Sequence, residues 1–435
     1  MDIPSKLLSD QEQEELTSTR AKSVTKAAVI MCVLGTIFYC YEYYLRVAPS
    51  VMSAELKLAF GLSDAALGHL AACYYYAYTP MQIPVGMMMD KFGPRKILTF
   101  ACALCVVGTY LFATTSDVLL AQIGRFLVGF GSAFAYVGVL KISNLWLPQK
   151  YFALMAGICT ALGMFGGMTG ALTMAPLVEK IGWQSTLFYS VVIGIILTFA
   201  LWFILKDKTE EKFNPNLQTP QQKISLFLSL KEMVKSSPMW INGIIGCLTF
   251  LPISAFAEMW AVPFLESTGI SKQEAAVGSS MVFLGFALGG PVWGLISDAM
   301  SSRRIPLMMG SFISAILMAV ALLEPSWLGQ WMKLILFLCG FFASAEILVF
   351  AVSNDMNRSE VSATAVAFTN MVVMIGGALL PPLIGRLLDN SMKVVNGLPS
   401  NTAEDFGTAL LILPLTLVFA GILSYYLKET YKSYR

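Results

Sequence analysis

The chain has 435 residues, 56% of them hydrophobic and only 13% charged, with a mean hydropathy of +0.68. Soluble domains carry about twice that share of charge, so the composition excludes a single soluble fold and predicts a polytopic membrane protein. A net charge of +2 excludes a strongly basic nucleic-acid binder and leaves the basic residues to be explained by membrane topology.

A bilayer core takes roughly 20 apolar residues per helix. Behind a polar tail at residues 1–26, hydropathy places twelve such runs, at 27–50, 66–89, 97–115, 118–145, 152–176, 184–205, 240–265, 275–298, 305–323, 328–352, 361–386 and 406–427. They are continuous and rich in Leu, Ala, Gly and Met, which predicts helices rather than the alternating strands of a barrel. The first run is too long for a signal-peptide core and follows too long a tail, so it is expected to remain in the mature protein. With both termini cytoplasmic, most of the 29 Lys and Arg fall inside, including Lys91, Arg95, Lys96, Arg303, Arg304 and Arg358. The opposite face keeps Lys57, Lys180, Lys272, Arg386 and Lys393, an asymmetry that follows the positive-inside rule.

The first run ends in the stretch FYCYEYYLRVAPS, which carries two charges. At a rise of 1.5 Å per residue, Glu42 lies about 22 Å and Arg46 about 28 Å from residue 27, within or at the edge of hydrocarbon. An ionised side chain there costs several kcal/mol unless it meets a partner or a wet cavity. Spacings of three and four put Tyr39, Glu42, Tyr43, Arg46 and Ser50 on one face. The second run answers with Tyr74, Tyr75, Tyr78 and Gln82 around the helix-bending Pro80 and Pro84. Together these read as a cavity wall in which the arginine fork is suited to a carboxylate or phosphate. The plainer reading is that Glu42 and Arg46 only neutralise one another. The lone His69 lies at the outer entrance of the second helix, where an interfacial role is the simplest account.

Between the second and third runs, residues 86–96 read GMMMDKFGPRK: Asp90 ends a helix, Gly93-Pro94 turns the chain, and Arg95 and Lys96 open the next helix. Arg125 opens the glycine-rich RFLVGFGSAF in the fourth run. Gly163, Gly166, Gly167 and Gly170 allow close packing of the fifth. All eight cysteines lie in apolar runs; the Cys102-x-x-Cys105 pair lacks a second ligand pair or a nearby histidine, so the cysteines read as packing residues and no metal is expected.

A polar linker at 206–238, with Pro215, Pro220 and Pro238, divides the runs into a bundle at 27–205 and another at 239–427, followed by a tail at 428–435. An internal repeat supports the division: 208 residues after GMMMDKFGPRK the chain reads GLISDAMSSRR, so Asp298 and Arg303 repeat Asp90 and Arg95. At the same offset Lys333 repeats Arg125. Slipped by two residues, Ser353-Asn354 repeat Ser143-Asn144, and Gly376-Gly377 repeat Gly166-Gly167. Parallel repeats of this kind mark transporters whose site lies between the halves.

GMMMDKFGPRK resembles the signature loop of the major facilitator superfamily, with Pro94 in place of one basic residue, and RFLVGFGSAF resembles that superfamily's fourth-helix motif. The resemblance implies an all-α membrane protein of twelve transmembrane helices in two pseudo-symmetric six-helix bundles, working by alternating access. It also implies that Asp90, Arg95, Lys96, Asp298 and Arg303 latch the halves on the cytoplasmic side when the protein faces outward, and that Arg125 organises the first two helices. In the superfamily's anion transporters a first-helix arginine binds substrate, an acid precedes it, and a second acid stands seven residues after the fourth-helix arginine. Here the first acid is a full turn away and the second position is Ser132, so a proton must use another carboxylate.

The carboxylates left for proton coupling are Glu42, Glu258 in the seventh run and Glu346 in the tenth. By the same rise Glu258 matches the depth of Arg46, with Trp260 beside it, so the two could bracket a zwitterion. Glu346 could instead pair with Lys141, and Asn370 in the eleventh run is a plausible polar ligand. The candidate substrate contacts are therefore Arg46, Tyr39, Tyr43, Tyr75, Gln82, Trp260 and Asn370.

YEYYLRVAPSVM also resembles a bacterial branch that includes phagosomal importers of amino acids and nucleosides. The expectation is proton-coupled uptake of an amino acid or short peptide by a monomer in the bacterial inner membrane. The alternatives are an organic-anion, sugar-acid or nucleoside symporter, or a proton-driven antiporter, although the G-P dipeptide of drug antiporters is absent from the fifth helix. No nucleophile elbow or phosphate loop suggests an enzyme or a cofactor.

Overall fold

The computed structural model describes residues 25–148, 151–207, 226–323, 325–358, 361–395 and 398–431. Eleven helical spans among these are long and apolar enough to cross a membrane: α1 Lys26–Val51, α3 Pro94–Thr114, α4 Val118–Trp146, α5 Leu154–Ile181, α6 Trp183–Ile204, α7 Ser237–Ser267, α8 Lys272–Ala299, α9 Arg304–Leu323, α10 Trp331–Met356, α11 Ser362–Ser391 and α12 Ala403–Tyr426. Between α1 and α3 runs α2, Asp64–Met81. Pro80 and Pro84 cannot donate backbone hydrogen bonds, so α2 stops at Gln82 and a short helix, Val85–Phe92, finishes the pass. The expected run at 66–89 is therefore two helices, and the chain makes its twelve passes with the second one broken.

Breaks recur at repeat-related positions. In α4 the helix is interrupted at Ala133–Phe134, and at the slipped register α10 tightens into a 3₁₀ turn, Ser344–Ile347. In α1 the interruption is at Val47, ahead of Pro49, and the matching part of α7 widens into a π-helix, Pro252–Trp260. Such turns are frequent at functional positions because they re-aim side chains and free backbone groups.

The two halves meet where α2 packs on α11 and α5 on α8. Gly68 and Gly385 permit the closest approach: a Cβ on Gly68 would lie 2.3 Å from the Pro381 carbonyl oxygen, and one on Gly385 the same distance from that of Asp64. Away from this seam, apolar side chains such as Ile196, Phe199 and Phe203 of α6 are exposed, as a lipid-facing surface requires.

Residues 1–24, 208–225 and 432–435 of the expected tails and linker lie outside the described residues. The end of the linker is helical, Leu226–Lys235, and packs against α11 and α7. Among the described residues the one departure from an all-helical fold is a small hairpin between α11 and α12, Lys393–Val395 paired antiparallel with Leu398–Ser400.

Candidate functional site

The interruption in α1 sets up the site. Pro49 has no N–H, so the Leu45 carbonyl lacks its usual partner one turn on. Arg125 of α4 fills the gap, donating from Nη1 to the Leu45 carbonyl at 3.0 Å and from Nη2 to the Arg46 carbonyl at 3.4 Å. Arg125 thus ties the fourth span to the backbone of the first helix at its interruption.

Arg46 lies above this support, 2% exposed, and ties both halves together. Its Nη2 donates to both Glu42 oxygens at 3.1 Å and to the Tyr74 hydroxyl at 2.8 Å, while its Nη1 reaches Glu258 Oε1 of α7 at 3.5 Å. The Tyr74 hydroxyl in turn donates to Glu42 at 2.8 Å, and that of Tyr75 donates to Glu258. The guanidinium sits 3.9 Å from the Tyr43 ring centroid, 4.9 Å from that of Tyr74, 5.1 Å from that of Tyr78 and 5.8 Å from that of Tyr75. A cation on several aromatic faces is stabilised without water. With Arg125 counted beside Arg46, Glu42 and Glu258, the four ionised groups are formally neutral, which is how the cluster persists inside a membrane.

Arg46 Nε and Arg125 Nε are buried without an acceptor. A void of about 10 Å³ touches Arg46, Arg125, Ser254 and Glu258, room for roughly one water. A cavity of about 660 Å³ lies elsewhere, between the first halves of α1 and α5, lined by Val33, Ile37, Leu154 and Ile158. Its lining carries no charged side chain, so the polar cluster is the better candidate site.

In this conformation Arg46 and Glu258 are in direct contact at 3.5 Å and do not bracket an open space. The plain helix pair of Glu42 and Arg46 forms, but inside a five-residue network with Tyr74, Tyr75 and Glu258. Of the other expected contacts, Tyr43 and Tyr75 join the cluster. Tyr39 packs edge-on against Tyr43 and beside Tyr136, one turn away. Trp260 turns from the cluster, donating to the Pro381 carbonyl at 3.3 Å and stacking near Phe406. Gln82 and Asn370 bond to each other across the halves at 2.8 Å. Glu346 is 4% exposed and joins none of these. His69 meets the Tyr76 hydroxyl at 3.1 Å near the surface.

On the face away from the termini the halves are bolted together by contacts that the sequence reading did not anticipate. The Asp389 carboxylate of α11 accepts from the first N–H groups of α2, those of Asp64 at 2.8 Å and Ala65 at 3.0 Å. The buried Asp64 carboxylate accepts from Asn401 at 2.7 Å and Lys57 at 2.8 Å. Lys272 of α8 reaches Glu55 at 2.5 Å, and Gln273 reaches Glu179 at 2.9 Å.

On the face of the termini, the motif residues bond within their own halves. Asp90 meets Lys141 at 3.0 Å, so Lys141 serves the motif rather than Glu346. Arg303 meets Asp298 at 3.0 Å and Asp355 at 3.3 Å. Lys96 is exposed. These contacts do not form the expected latch between the halves in this conformation, in which the opposite face is closed.

A repeated device was also missed. Asp207, just past α6, accepts from the Arg95 N–H at 3.0 Å, and Glu429, just past α12, accepts from the Arg303 N–H at 3.0 Å and the Arg304 N–H at 3.4 Å. In each half an acid following the last span thus caps the third. Burial works to raise the Glu429 carboxyl, but the N–H of Arg303, the Ser302 hydroxyl and the N–H groups of Tyr431 and Arg304 outweigh it and hold it at about 2. A folded value below the usual one of about 4.3 stabilises the fold fully above that value and loses its effect as pH falls through about 2. Glu429→Gln is therefore expected to lower Tm at pH 7 and to converge with the unmodified protein toward pH 2. An equal deficit at both pH values in a thermal-shift series would refute the cap.

The fold and site invite comparison with known proteins. The family model described as Major Facilitator Superfamily matches residues 32–381. The probable galactarate/D-glucarate transporter GudP of Escherichia coli (strain K12) is 24% identical over 406 residues, covering 84% of this chain and 88% of that protein. The human lysosomal dipeptide transporter MFSD1 is 23% identical, covering 83% and 79%. The crystal structure of a bacterial homologue of the human lysosomal transporter Spinster, in an inward-facing and unoccupied conformation, superposes with a TM-score of 0.79 at 18% identity, over 93% of this chain and 98% of that one. The breadth of these matches, and the motif and paired halves on which they fall, give one conclusion: the chain belongs to the Major Facilitator Superfamily, a family of transporters and not of enzymes.

Proposed function

We propose that this transporter carries a small carboxylate-bearing solute of the sugar-acid kind, with Arg46 as the carboxylate ligand and protons as the coupling ion. The observation that carries this reading is the buried Arg46 guanidinium, which is bonded to carboxylates from both halves and still has a free Nε–H. A substrate carboxylate can replace Glu258 on the fork, since the 3.5 Å contact to Nη1 is the loosest in the cluster. The tyrosine hydroxyls around it are suited to a polyhydroxylated acid. GudP, a probable galactarate/D-glucarate transporter, supports the substrate class, and the amino-acid expectation yields to it.

Charge balance supplies the coupling. The cluster is formally neutral when empty, so a bound anion leaves one uncompensated negative charge in the membrane interior, which a proton on a displaced carboxylate removes. A monoanion then brings one proton and a dianion two. Arg46, Tyr43, Tyr74 and Tyr75 form the substrate site in this scheme, and Glu258 links it to the opposite half. The working location is the bacterial cytoplasmic membrane with both termini inside. A second reading, a dipeptide or amino acid, is favoured by the two acids beside Arg46, either of which can take an ammonium group, and by MFSD1.

The test is uptake of radiolabelled D-glucarate and of a radiolabelled dipeptide into proteoliposomes with an inward proton gradient. Glucarate accumulation that collapses with the gradient supports the acid reading, and dipeptide accumulation alone moves the assignment to the second. Movement of neither refutes both.

A further inference from the structure

Gln82 and Asn370 join the halves on the side of the Arg46 cluster that faces the termini. Asn370 lies about 12 Å along α11 from its start at Ser362, whereas Arg46 lies about 30 Å along α1 from the same face. The other hydrogen bonds between the halves among the described residues belong to the cluster or to the outer part of the seam, as do those of Ser280 to the Met168 carbonyl and of Asp389 to the start of α2. Nearer the termini than Gln82 and Asn370, the motif residues bond within their own halves.

Local backbone chemistry fixes this bond. Ahead of Pro84, α2 stops at Gln82, whose backbone N–H turns to the Thr79 carbonyl at 3.3 Å. The buried Gln82 side chain donates to the Tyr78 carbonyl that this leaves, at 3.5 Å, which aims its own oxygen at the Asn370 amide, 2.8 Å away. Tyr78, one turn back, lays its ring 5.1 Å from the Arg46 guanidinium, so the amide pair adjoins the cluster. The internal repeat shows that the fold by itself does not demand the bond. At the 208-residue offset Gln82 corresponds to Gly290, and at the slipped register Asn370 corresponds to Thr160. Gly290 has no side chain, and Thr160 donates to the Ala156 carbonyl of its own helix. The α5–α8 seam therefore has no counterpart to the bond between α2 and α11.

We propose that the Gln82–Asn370 pair is the inner gate of this transporter: it holds α2 to α11 while the solute is enclosed, and it parts when the seam opens toward the termini. A neutral amide pair suits that task. It is weaker than the charge-assisted bonds that bolt the outer face, so it yields before they do. Its place between Pro80 and Pro84, where the second pass is already broken, lets the short helix Val85–Phe92 swing without tearing a continuous helix. Water that enters the opened passage satisfies both amides, so parting leaves no stranded polar group. The gate serves any solute carried along the seam, and it stands or falls independently of the sugar-acid reading.

Distance measurements between spin labels on the full-length protein in liposomes, with no solute present, test this. Labels at Lys91→Cys and Ala363→Cys sit at exposed positions on the second pass and on α11, at the face of the termini. In Gln82→Leu and in Asn370→Leu the longer-distance population there is expected to grow about three- to tenfold, the range that one neutral hydrogen bond supplies. The swap of Gln82→Asn with Asn370→Gln keeps both amides and is expected to return most of the population to the shorter distance. A second label pair on the opposite face, at the exposed Leu58→Cys and Glu404→Cys, is expected not to lengthen in any of these variants. An unchanged distribution at the face of the termini in both leucine variants overturns the gate. Equal lengthening at both faces overturns it as well, because that is general loosening of the seam, and so does a swap variant as open as the leucine variants.

Discussion

Arg46→Ala is expected to abolish uptake, by about a hundredfold or more, and to destabilise the protein as well. Each charge-assisted hydrogen bond to a carboxylate contributes roughly 1.5–3 kcal/mol, so losing a two-pronged ligand removes enough binding for that factor. Removing the guanidinium also strands Glu42 and Glu258, which are 0% and 3% exposed. Breaking a buried ion network in this way costs about 3–5 kcal/mol. The two effects separate in the double variant Arg46→Met, Glu42→Gln, which removes one acid together with the arginine and leaves the buried Glu258 balanced by Arg125. Its Tm is expected to recover most of the loss while uptake stays absent. Uptake restored along with Tm would show that Arg46 is scaffolding. Arg46→Lys keeps one charge but loses the planar fork that spans Glu42, Tyr74 and Glu258, and is expected to restore stability better than transport.

Asp389→Ala is expected to shift the conformational equilibrium toward a state open on the face away from the termini, by about ten- to thirtyfold. The Asp389 carboxylate satisfies two otherwise free N–H groups at the start of α2, from across the seam between the halves. A helix cap contributes about 0.5–2 kcal/mol, and charge on the acceptor takes the effect to the upper end of that range. The bonds join opposite halves, so they stabilise only the conformation in which that face is closed, and their loss moves the population directly. Spin labels at Leu58→Cys and Glu404→Cys, exposed sites on the two halves, report the change by electron–electron distance measurements. A longer-distance population should grow in Asp389→Ala, and an unchanged distribution rules out Asp389 as a bolt. Asp389→Asn, which can still accept a hydrogen bond, should fall between the two.

The passes, their order and the pairing of the halves were legible in the sequence because each follows from local rules. A run of about 20 apolar residues has few ways to satisfy its backbone in lipid other than a helix, and a repeat at constant offset survives in the residues that turn and cap helices. The polar face of the first helix was legible too: a period of 3.6 places Tyr43 and Arg46 together wherever the helix goes, and the tyrosines of the second helix signalled the same cavity. The broken second pass could have been read from Pro80 and Pro84, whose missing N–H groups are a local fact.

The partners across space were not legible. Depth along a helix matched Glu258 to Arg46, but whether the pair touches or brackets a ligand depends on how closely two rigid bundles approach. That distance is set by backbone contacts such as Gly68 on Pro381 and Gly385 on Asp64. Asp389 lies 325 residues after the N–H group of Asp64 that it caps, and a carboxylate at a helix end looks the same in a sequence whether it meets water or another helix. Lys141 could go to Glu346 or Asp90 by composition alone; tertiary packing gave it to Asp90. Sequence by itself determined which segments lie in the membrane and which of their residues are costly there. Only the tertiary structure decided which charge offsets which, because electrostatic compensation in a low-dielectric interior depends on ångström distances between elements that the chain places hundreds of residues apart.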